Sequence, residues 1–186
     1  MKRVFWLMGL VFFLMGCSPE NRELNQAMML RDKVLNAQKC SFSAEVTADY
    51  GDSLFSFSMD CQADKKGNLE FVITKPDTIA GIEGHITDSG GEVVFDNTAL
   101  YFPMLTDEHL TPASAPWIFL KTLRSGYISS VCREDVFLHI TVDDSYSDGE
   151  LKLDIWLDEA GTPIRGDILY DGKRILSLKV ENLVFL

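Results

Sequence analysis

The side chains of this chain that could do chemistry are its cysteines, its histidines and its clustered carboxylates. The three histidines, His85, His109 and His139, lie far apart and lack the spacing of metal ligands. The chain contains neither a Gly-x-Ser-x-Gly motif nor a phosphate-binding loop. The sequence therefore predicts no metal site, no cofactor and no catalytic residues, and it favours a non-enzymatic protein over a hydrolase.

An acidic stretch in the last third of the chain is a further candidate for chemistry. Residues 144–149 begin like a calcium-binding loop, but Tyr146 stands at the third position and Ile155 stands where the closing glutamate belongs. The carboxylates of this stretch could pair for acid–base catalysis, yet neither a nucleophile nor a substrate clamp accompanies them. A solvated hairpin turn is the favoured interpretation.

The segment that ends at Cys17 is built like a secretory signal. Two basic residues begin it, residues 4–15 are almost entirely apolar, and Gly16 precedes the cysteine. The apolar run is shorter than the roughly 20 residues that cross a bilayer, so a signal peptide is favoured over a membrane span. The ending Leu14-Met-Gly-Cys17 resembles a bacterial lipobox, which implies cleavage before Cys17 and lipidation of its thiol. The alternative is an ordinary secretory signal with a chance cysteine.

Cleavage at that point sets the domain organisation and the location of the protein. It predicts a signal peptide over residues 1–16, a lipidated tether over 17–22 and a single domain over 23–186. We therefore expect an extracytoplasmic protein, anchored to a bacterial cell membrane through its N-terminal lipid. The formal net charge is −11, and such an acidic chain repels nucleic acid, so no nucleic-acid partner is expected.

Two of the remaining cysteines fall in a predicted β-hairpin. Apolar and polar residues alternate over 40–49 and 55–61, as in a half-buried strand pair. Folding the hairpin about Tyr50-Gly51 puts Cys40 opposite Cys61, at the roughly 4.5–5.5 Å between Cα atoms that a disulfide can bridge. Such a bond would stabilise the fold by about 3 kcal/mol. The alternatives are a bond from either residue to Cys132, and three free thiols.

The remaining elements alternate between helix and strand patterns. Helical periodicity over residues 22–37 precedes the hairpin, and about six strands reach to residue 103. An apolar helix over 115–124 interrupts the strands, and about four more strands follow it from Val136 onward. Antiparallel strands with one apolar face must curl around something, and the two helices can fill the concavity.

Three stretches resemble the LolA/LolB-like bacterial lipoprotein superfamily. Residues 92–103 (EVVFDNTALYFP) resemble the hairpin that leads to its lid, residues 153–164 (LDIWLDEAGTPI) resemble a later strand and turn, and Asp171-Gly172 resembles the entry to its last strand. The resemblance implies a mainly β (α+β) fold: a curved antiparallel half-barrel sheet with an N-terminal helix and an apolar central helix covering the concave face. The layout is most similar to the spore germination lipoproteins (GerS-like), which bind a cortex peptidoglycan amidase. The chain departs from the family in part, because soluble LolA is not lipidated and the protruding apolar loop of LolB has no match here.

Two functions follow for a non-enzymatic, membrane-anchored lipoprotein of this kind. In the first, the concave face binds a hydrophobic ligand such as a lipid or acyl chain, or an apolar segment of a cell-envelope protein. The residues that would line this cavity are Phe42, Phe55, Phe57, Phe71, Trp117 and Phe119, although the same side chains could simply form the core. In the alternative, the domain is an interaction module that anchors or activates a peptidoglycan-processing enzyme through outward-facing residues such as Trp156 and Phe137. A hollow concave face favours the first function and a filled one favours the second.

Overall fold

The computed structural model describes residues 19–96, 98–103, 105–106, 109–144 and 151–186. The predicted signal peptide and Cys17 lie outside the described residues. Residues 145–150, which include most of the acidic stretch, lie outside them as well. None of the described helices is both long enough and apolar enough to cross a membrane.

The described chain is mostly β-strand, with one helix before the strands and one between them. Helix α1 spans Pro19–Asn36, and helix α2 spans Ala115–Ser125 directly after a 3-10 turn over Pro112–Ser114. The strands are β1 Lys39–Asp49, β2 Leu54–Asp64, β3 Leu69–Lys75, β4 Glu83–Thr87, β5 Gly90–Phe95, β6 Thr98–Phe102, β7 Leu105–Thr106, β8 His109–Leu110, β9 Tyr127–Glu134, β10 Phe137–Asp143, β11 Lys152–Leu157, β12 Pro163–Tyr170 and β13 Lys173–Phe185.

Eleven of these strands form one antiparallel sheet in the order β6-β5-β4-β3-β2-β1-β13-β12-β11-β10-β9. Strands β1–β6 form one meander and β9–β13 form another, and the pairing of β1 with β13 joins them. Among the described residues, β6 and β9 are therefore the two edges of the sheet, while β7 and β8 pair separately. Helix α2 lies in the crossover between the two meanders, and the predicted curved antiparallel sheet with two helices is confirmed.

The period of two in the sequence decides which side chains point into the core. Leu138, Ile140 and Val142 of β10 are buried, while the alternate residues Phe137 and His139 point to the other face. The same alternation holds in β1 and β11. Because successive side chains of a strand point to opposite faces, one face of the sheet carries the core and the other faces outward.

The two helices are locked together at their C-terminal ends by two arginines. Arg31 of α1 donates from Nε to the carbonyl oxygen of Leu123 at 3.0 Å and from Nη2 to that of Gly126 at 2.6 Å. Arg124 of α2 donates from Nη2 to the carbonyl oxygen of Val34, near the end of α1, at 3.3 Å. The last carbonyls of a helix lack intrahelical partners and carry its negative dipole end. Each arginine therefore caps the other helix.

Two glycines leave room for aromatic rings against the sheet. The Phe71 ring lies over Gly84, where an added Cβ would come within 2.2 Å of Phe71 Cζ. The Phe119 ring of α2 lies over Gly166, where an added Cβ would come within 2.8 Å of Phe119 Cδ2. Any larger residue at either position would push the ring out of the core.

The predicted register of the first hairpin was wrong by two residues. The turn is longer than predicted, with the Tyr50 amide donating to the Ser53 carbonyl at 3.1 Å. As a result Cys40 lies opposite Ala63, and Cys61 lies opposite Phe42. A shift of two keeps every side chain on its face, so the alternation was predicted correctly.

The same shift removes the geometry on which the Cys40–Cys61 disulfide was predicted. The two cysteines are diagonal neighbours, for which Cα atoms lie roughly 7–8 Å apart, too far for a bond without backbone movement. Both thiols are free and buried in the structure. Burial raises the pKa of the Cys40 thiol to about 11 and raises the pKa of the Cys61 thiol as well.

Candidate functional site

The structure divides the six predicted cavity residues into two groups. Phe42, Phe71, Trp117 and Phe119 are at most 6% exposed and belong to one continuous hydrophobic core. Helix α2 supplies two of them, and its own buried face runs from Ala115 to Leu123. On this part of the concave face the side chains form packed core.

The other two residues lie where the concave face is open. Phe57 is half-buried and Phe55 is 51% exposed. They stand opposite Val46 and Ala48, which are fully buried and so fix the face to which they belong. The Phe55 ring meets that of Tyr50 edge to face, with 6.1 Å between their centroids.

Strands β5 and β6 add further apolar side chains to the concave face that the sequence analysis did not single out. Val93 lies opposite Leu100, and Gly84 on β4 lies opposite Val93, so all three share the face on which the Phe71 ring lies. Leu100 is 60% exposed, and Phe95, two residues beyond Val93, is 61% exposed. We call Phe55, Phe57, Val93, Phe95 and Leu100 the open concave surface. The alternation along each strand predicts that residues 93, 95 and 100 share one face. It does not predict their exposure, which depends on what covers that face.

The outer face of the same strands is acidic. A groove of about 730 Å³ on this face is lined in part by Asp60, Glu70, Glu83 and Glu92. His85 is the only described histidine, lysine or arginine among its lining residues. Like charges on neighbouring strands repel one another, so this groove is a solvated acidic surface that would disfavour anionic ligands.

A second cluster lies on the outer face of strands β9–β12. Trp156 and Phe137 point outward, as predicted, with Trp156 half-buried and Phe137 36% exposed. The His139 ring stacks on Trp156 with 4.6 Å between centroids and 1° between planes, and the Arg165 guanidinium carbon lies 4.6 Å from the Trp156 ring centroid. Because His139 and Arg165 sit on the strands flanking β11, they lie on either side of the indole.

Carboxylates hold this stack in place. Glu134 accepts a hydrogen bond from Trp156 Nε1 at 2.8 Å through Oε2, and its Oε1 lies 2.8 Å from His139 Nδ1. The pKa of Glu134 is held below its usual range, chiefly by the hydrogen bond from Trp156 and also by the contact with His139. The thiol of Cys132 joins the cluster from the edge strand, and ligand atoms of Cys132, Glu134 and His139 all lie within 4.8 Å of one another.

The spacing of the histidines alone does not indicate this group, because its other two members are a cysteine and a glutamate. Cys132 and His139 are seven residues apart, a spacing that becomes a direct contact only if the chain folds back between them. The structure does so through Asp135, whose φ of 53° is in the left-handed region, and pairs Glu134 with Phe137. The available signal was the turn at Asp135, which would have placed Cys132 directly opposite His139.

Comparison with known proteins finds similarity at the level of structure alone, since neither a protein-family model nor a curated protein matches the sequence. The chain is similar to a domain from Vibrio parahaemolyticus described as an outer membrane lipoprotein-sorting protein domain. The TM-score is 0.50 at 8% sequence identity, over 86% of this chain and 91% of that one. The fold is therefore the one predicted, a curved antiparallel half-barrel with two helices, and it is shared with that domain.

The chain is also similar to two further solved structures. One is the CwlD amidase from Clostridioides difficile in complex with the GerS lipoprotein, with a TM-score of 0.47 and 13% identity over 91% of this chain and 96% of that chain. The other is a LolA superfamily protein from Nitrosomonas europaea, with a TM-score of 0.43 and 8% identity over 86% and 93% of the two chains.

Proposed function

We propose that this chain is a non-enzymatic lipoprotein of the bacterial cell envelope, and that its open concave surface binds a protein partner. Cys17 carries the lipid anchor in this proposal. The tether between Cys17 and the start of α1 at Pro19 is very short, so the folded domain is held next to the membrane. An envelope protein is therefore the partner within reach.

The observation that carries the proposal is the contrast between packed and open parts of the concave face. A site for a small apolar ligand encloses most of the ligand surface. Here the residues predicted to line such a cavity are core or lie on the open surface. Phe55, Phe95 and Leu100 are each more than half exposed. Large exposed apolar side chains that share one face of a sheet are candidates for an interaction site.

The edge of the sheet supports the same function. Strand β6 pairs with β5 on one side only, within the described chain. An edge strand presents unpaired backbone groups to which a partner segment can add as a further strand. Leu100 lies on this strand, so one partner could contact both the edge and the open concave surface.

Site-specific photo-crosslinking in the native host tests this function. A photoreactive residue at position 100 faces the open concave surface, and the same residue at position 101 faces outward, because Tyr101 pairs with Glu92 of the acidic groove. We expect a single envelope protein to be captured from position 100 and much less of it from 101. Equal capture from both positions would exclude the surface as the specific site.

A hydrophobic ligand is the second candidate, because the predicted residues Phe55 and Phe57 are apolar and accessible. Capture of a lipid-sized adduct from position 100, with no protein adduct, would favour this function over the first. An interaction module that anchors or activates a peptidoglycan-processing enzyme is the predicted alternative, acting through outward-facing residues such as Trp156 and Phe137. It is supported if the captured protein is such an enzyme.

A further inference from the structure

We propose that Cys132, Glu134 and His139 form a binding site for a divalent transition-metal ion of the zinc type. The three side chains lie on the outer face of the β9–β10 hairpin, and Cys132 stands directly opposite His139. The thiol sulfur, a carboxylate oxygen and a ring nitrogen lie within 4.8 Å of one another. Cys132 Sγ is 3.8 Å from His139 Nδ1, close enough for both atoms to bind one metal ion.

The carboxylate is held in position by a residue outside the ligand set. Trp156 Nε1 donates to Oε2 of Glu134 at 2.8 Å. This bond occupies one oxygen and leaves Oε1 directed at His139 Nδ1, also at 2.8 Å. A carboxylate oriented by such a bond loses less side-chain freedom when it binds a metal.

The imidazole is held in the same way. Its ring is stacked on Trp156, and Nε2 is a buried atom 3.1 Å from Asp154 Oδ1. Asp154 Oδ1 in turn accepts a hydrogen bond from Thr141 Oγ1 at 2.7 Å. The contact from Nε2 lacks good hydrogen-bond alignment, so Asp154 acts on it chiefly through charge. A negative charge at Nε2 favours a proton there, which leaves the Nδ1 lone pair for a metal.

Binding replaces protons at this site. Nδ1 and Glu134 Oε1 lie 2.8 Å apart, so a proton held between them must leave before a metal can bond to both. A metal ion bonds to Nδ1, to the thiolate sulfur and to Oε1, and the displaced protons go to solvent. No oxidant or reductant is required.

The ligand set decides the class of ion. Thiolate and imidazole are ligands of zinc and related transition metals, whereas calcium and magnesium prefer oxygen ligands alone. Three protein ligands leave a fourth position, and it opens to solvent because Cys132 and Glu134 are both exposed. The neighbouring cations already have partners, since Arg133 lies 3.4 Å from Glu23 and Arg165 pairs with Asp167.

Cobalt titration tests the site, because a thiolate bound to Co²⁺ gives a charge-transfer absorption. The full mature chain with Cys17→Ser is reduced, freed of metal with a chelator and titrated with Co²⁺, then with Zn²⁺. We expect one Co²⁺ per chain, the thiolate absorption, and its loss when Zn²⁺ displaces the cobalt. Cys132→Ser should abolish the absorption. Asp154→Asn should weaken binding by about 10-fold, as other supporting carboxylates do.

Matched controls separate this site from adventitious binding. His85→Gln removes an exposed histidine on the outer face of β4 and should bind Co²⁺ like the parent chain. His139→Gln should lose binding. Zn²⁺ should also slow alkylation of Cys132 in the parent chain but not in His139→Gln, a readout independent of cobalt. The proposal is overturned if the absorption is missing, if it survives Cys132→Ser, or if His139→Gln and His85→Gln bind equally.

Discussion

Phe71 and Phe95 belong to the same sheet and point to the same concave face, yet one is 2% exposed and the other 61%. The difference lies in what covers them. The extensive contacts of α1 and α2 within the described chain are with strands β9–β13 and with each other, and Phe71 on β3 is sealed into the same core. Strands β5 and β6 extend beyond that cover. Identical side chains are therefore packed into the core at one place and left exposed at the other, where the proposed function assigns them to recognition.

Truncating each phenylalanine should show the largest difference in stability between the covered and the open region. Phe71→Ala removes a buried ring that packs on Gly84, and we expect it to lower the free energy of unfolding by about 3–5 kcal/mol. Phe95→Ala removes an exposed ring and should cost less than about 1 kcal/mol. Urea unfolding of the two variants measures both. Similar losses would show that the covered and open regions are packed alike.

The helix pair that provides the cover can be loosened without touching the sheet. Arg31→Met keeps an apolar stem but removes the hydrogen bonds to the Leu123 and Gly126 carbonyls. Leaving these part-buried carbonyls unpaired should cost about 1–3 kcal/mol. Lys33→Met, an exposed change on the same helix, is the control and should stay within about 0.5 kcal/mol of the parent chain. Thermal unfolding compares them, and equal midpoints would contradict the capping role of Arg31.

Alkaline pH should weaken the covered region through Cys40. Its pKa is raised by burial to about 11 from an ordinary value of 9.0. Above the ordinary value the unfolded chain loses this proton first, so stability is complete below pH 9 and declines as pH rises towards 11. Urea unfolding under reducing conditions at the two pH values should show a smaller decline for Cys40→Ala than for the parent chain. If both proteins lose the same unfolding free energy, groups other than Cys40 cause the sensitivity to alkaline pH.

The reactivity of the thiols should differ between the exposed cysteine and the two buried ones, without any change in stability. Cys132 is exposed, whereas Cys40 and Cys61 are buried. In the native, reduced and metal-free protein, alkylation at neutral pH should modify Cys132 first, and the buried pair should react only on unfolding. Mass spectrometry of the alkylated protein counts the modified residues. Rapid modification of all three cysteines would contradict the packed core around β1 and β2.

Much of the fold could be predicted because alternation and helical periodicity survive small errors. The central helix was predicted over 115–124 and spans Ala115–Ser125, and the first helix was predicted to start only three residues late. The hairpin register was wrong, since it depends on the length of one turn. Strand β9 was missed because both of its faces are largely exposed and its sequence does not alternate.

The candidate sites were harder to predict because they depend on distant parts of the chain. Phe55 and Phe71 look equivalent in the sequence, and only the tertiary cover separates them. Likewise, Cys132 and His139 meet only through the β9–β10 hairpin, and Trp156, which orients Glu134, comes from the next strand. Sequence spacing predicts which face a residue occupies, but not what lies above that face.

Native mass spectrometry of the mature domain, with Cys17→Ser and purified gently from its own host, distinguishes a protein-binding surface from a lipid-binding one. If the concave face is filled by its own core and the open surface serves a protein, the domain should carry no lipid-sized mass. A co-purifying mass of lipid size, lost in Phe55→Asp but retained in Tyr101→Asp, would contradict that account. It would assign the open concave surface to a lipid instead.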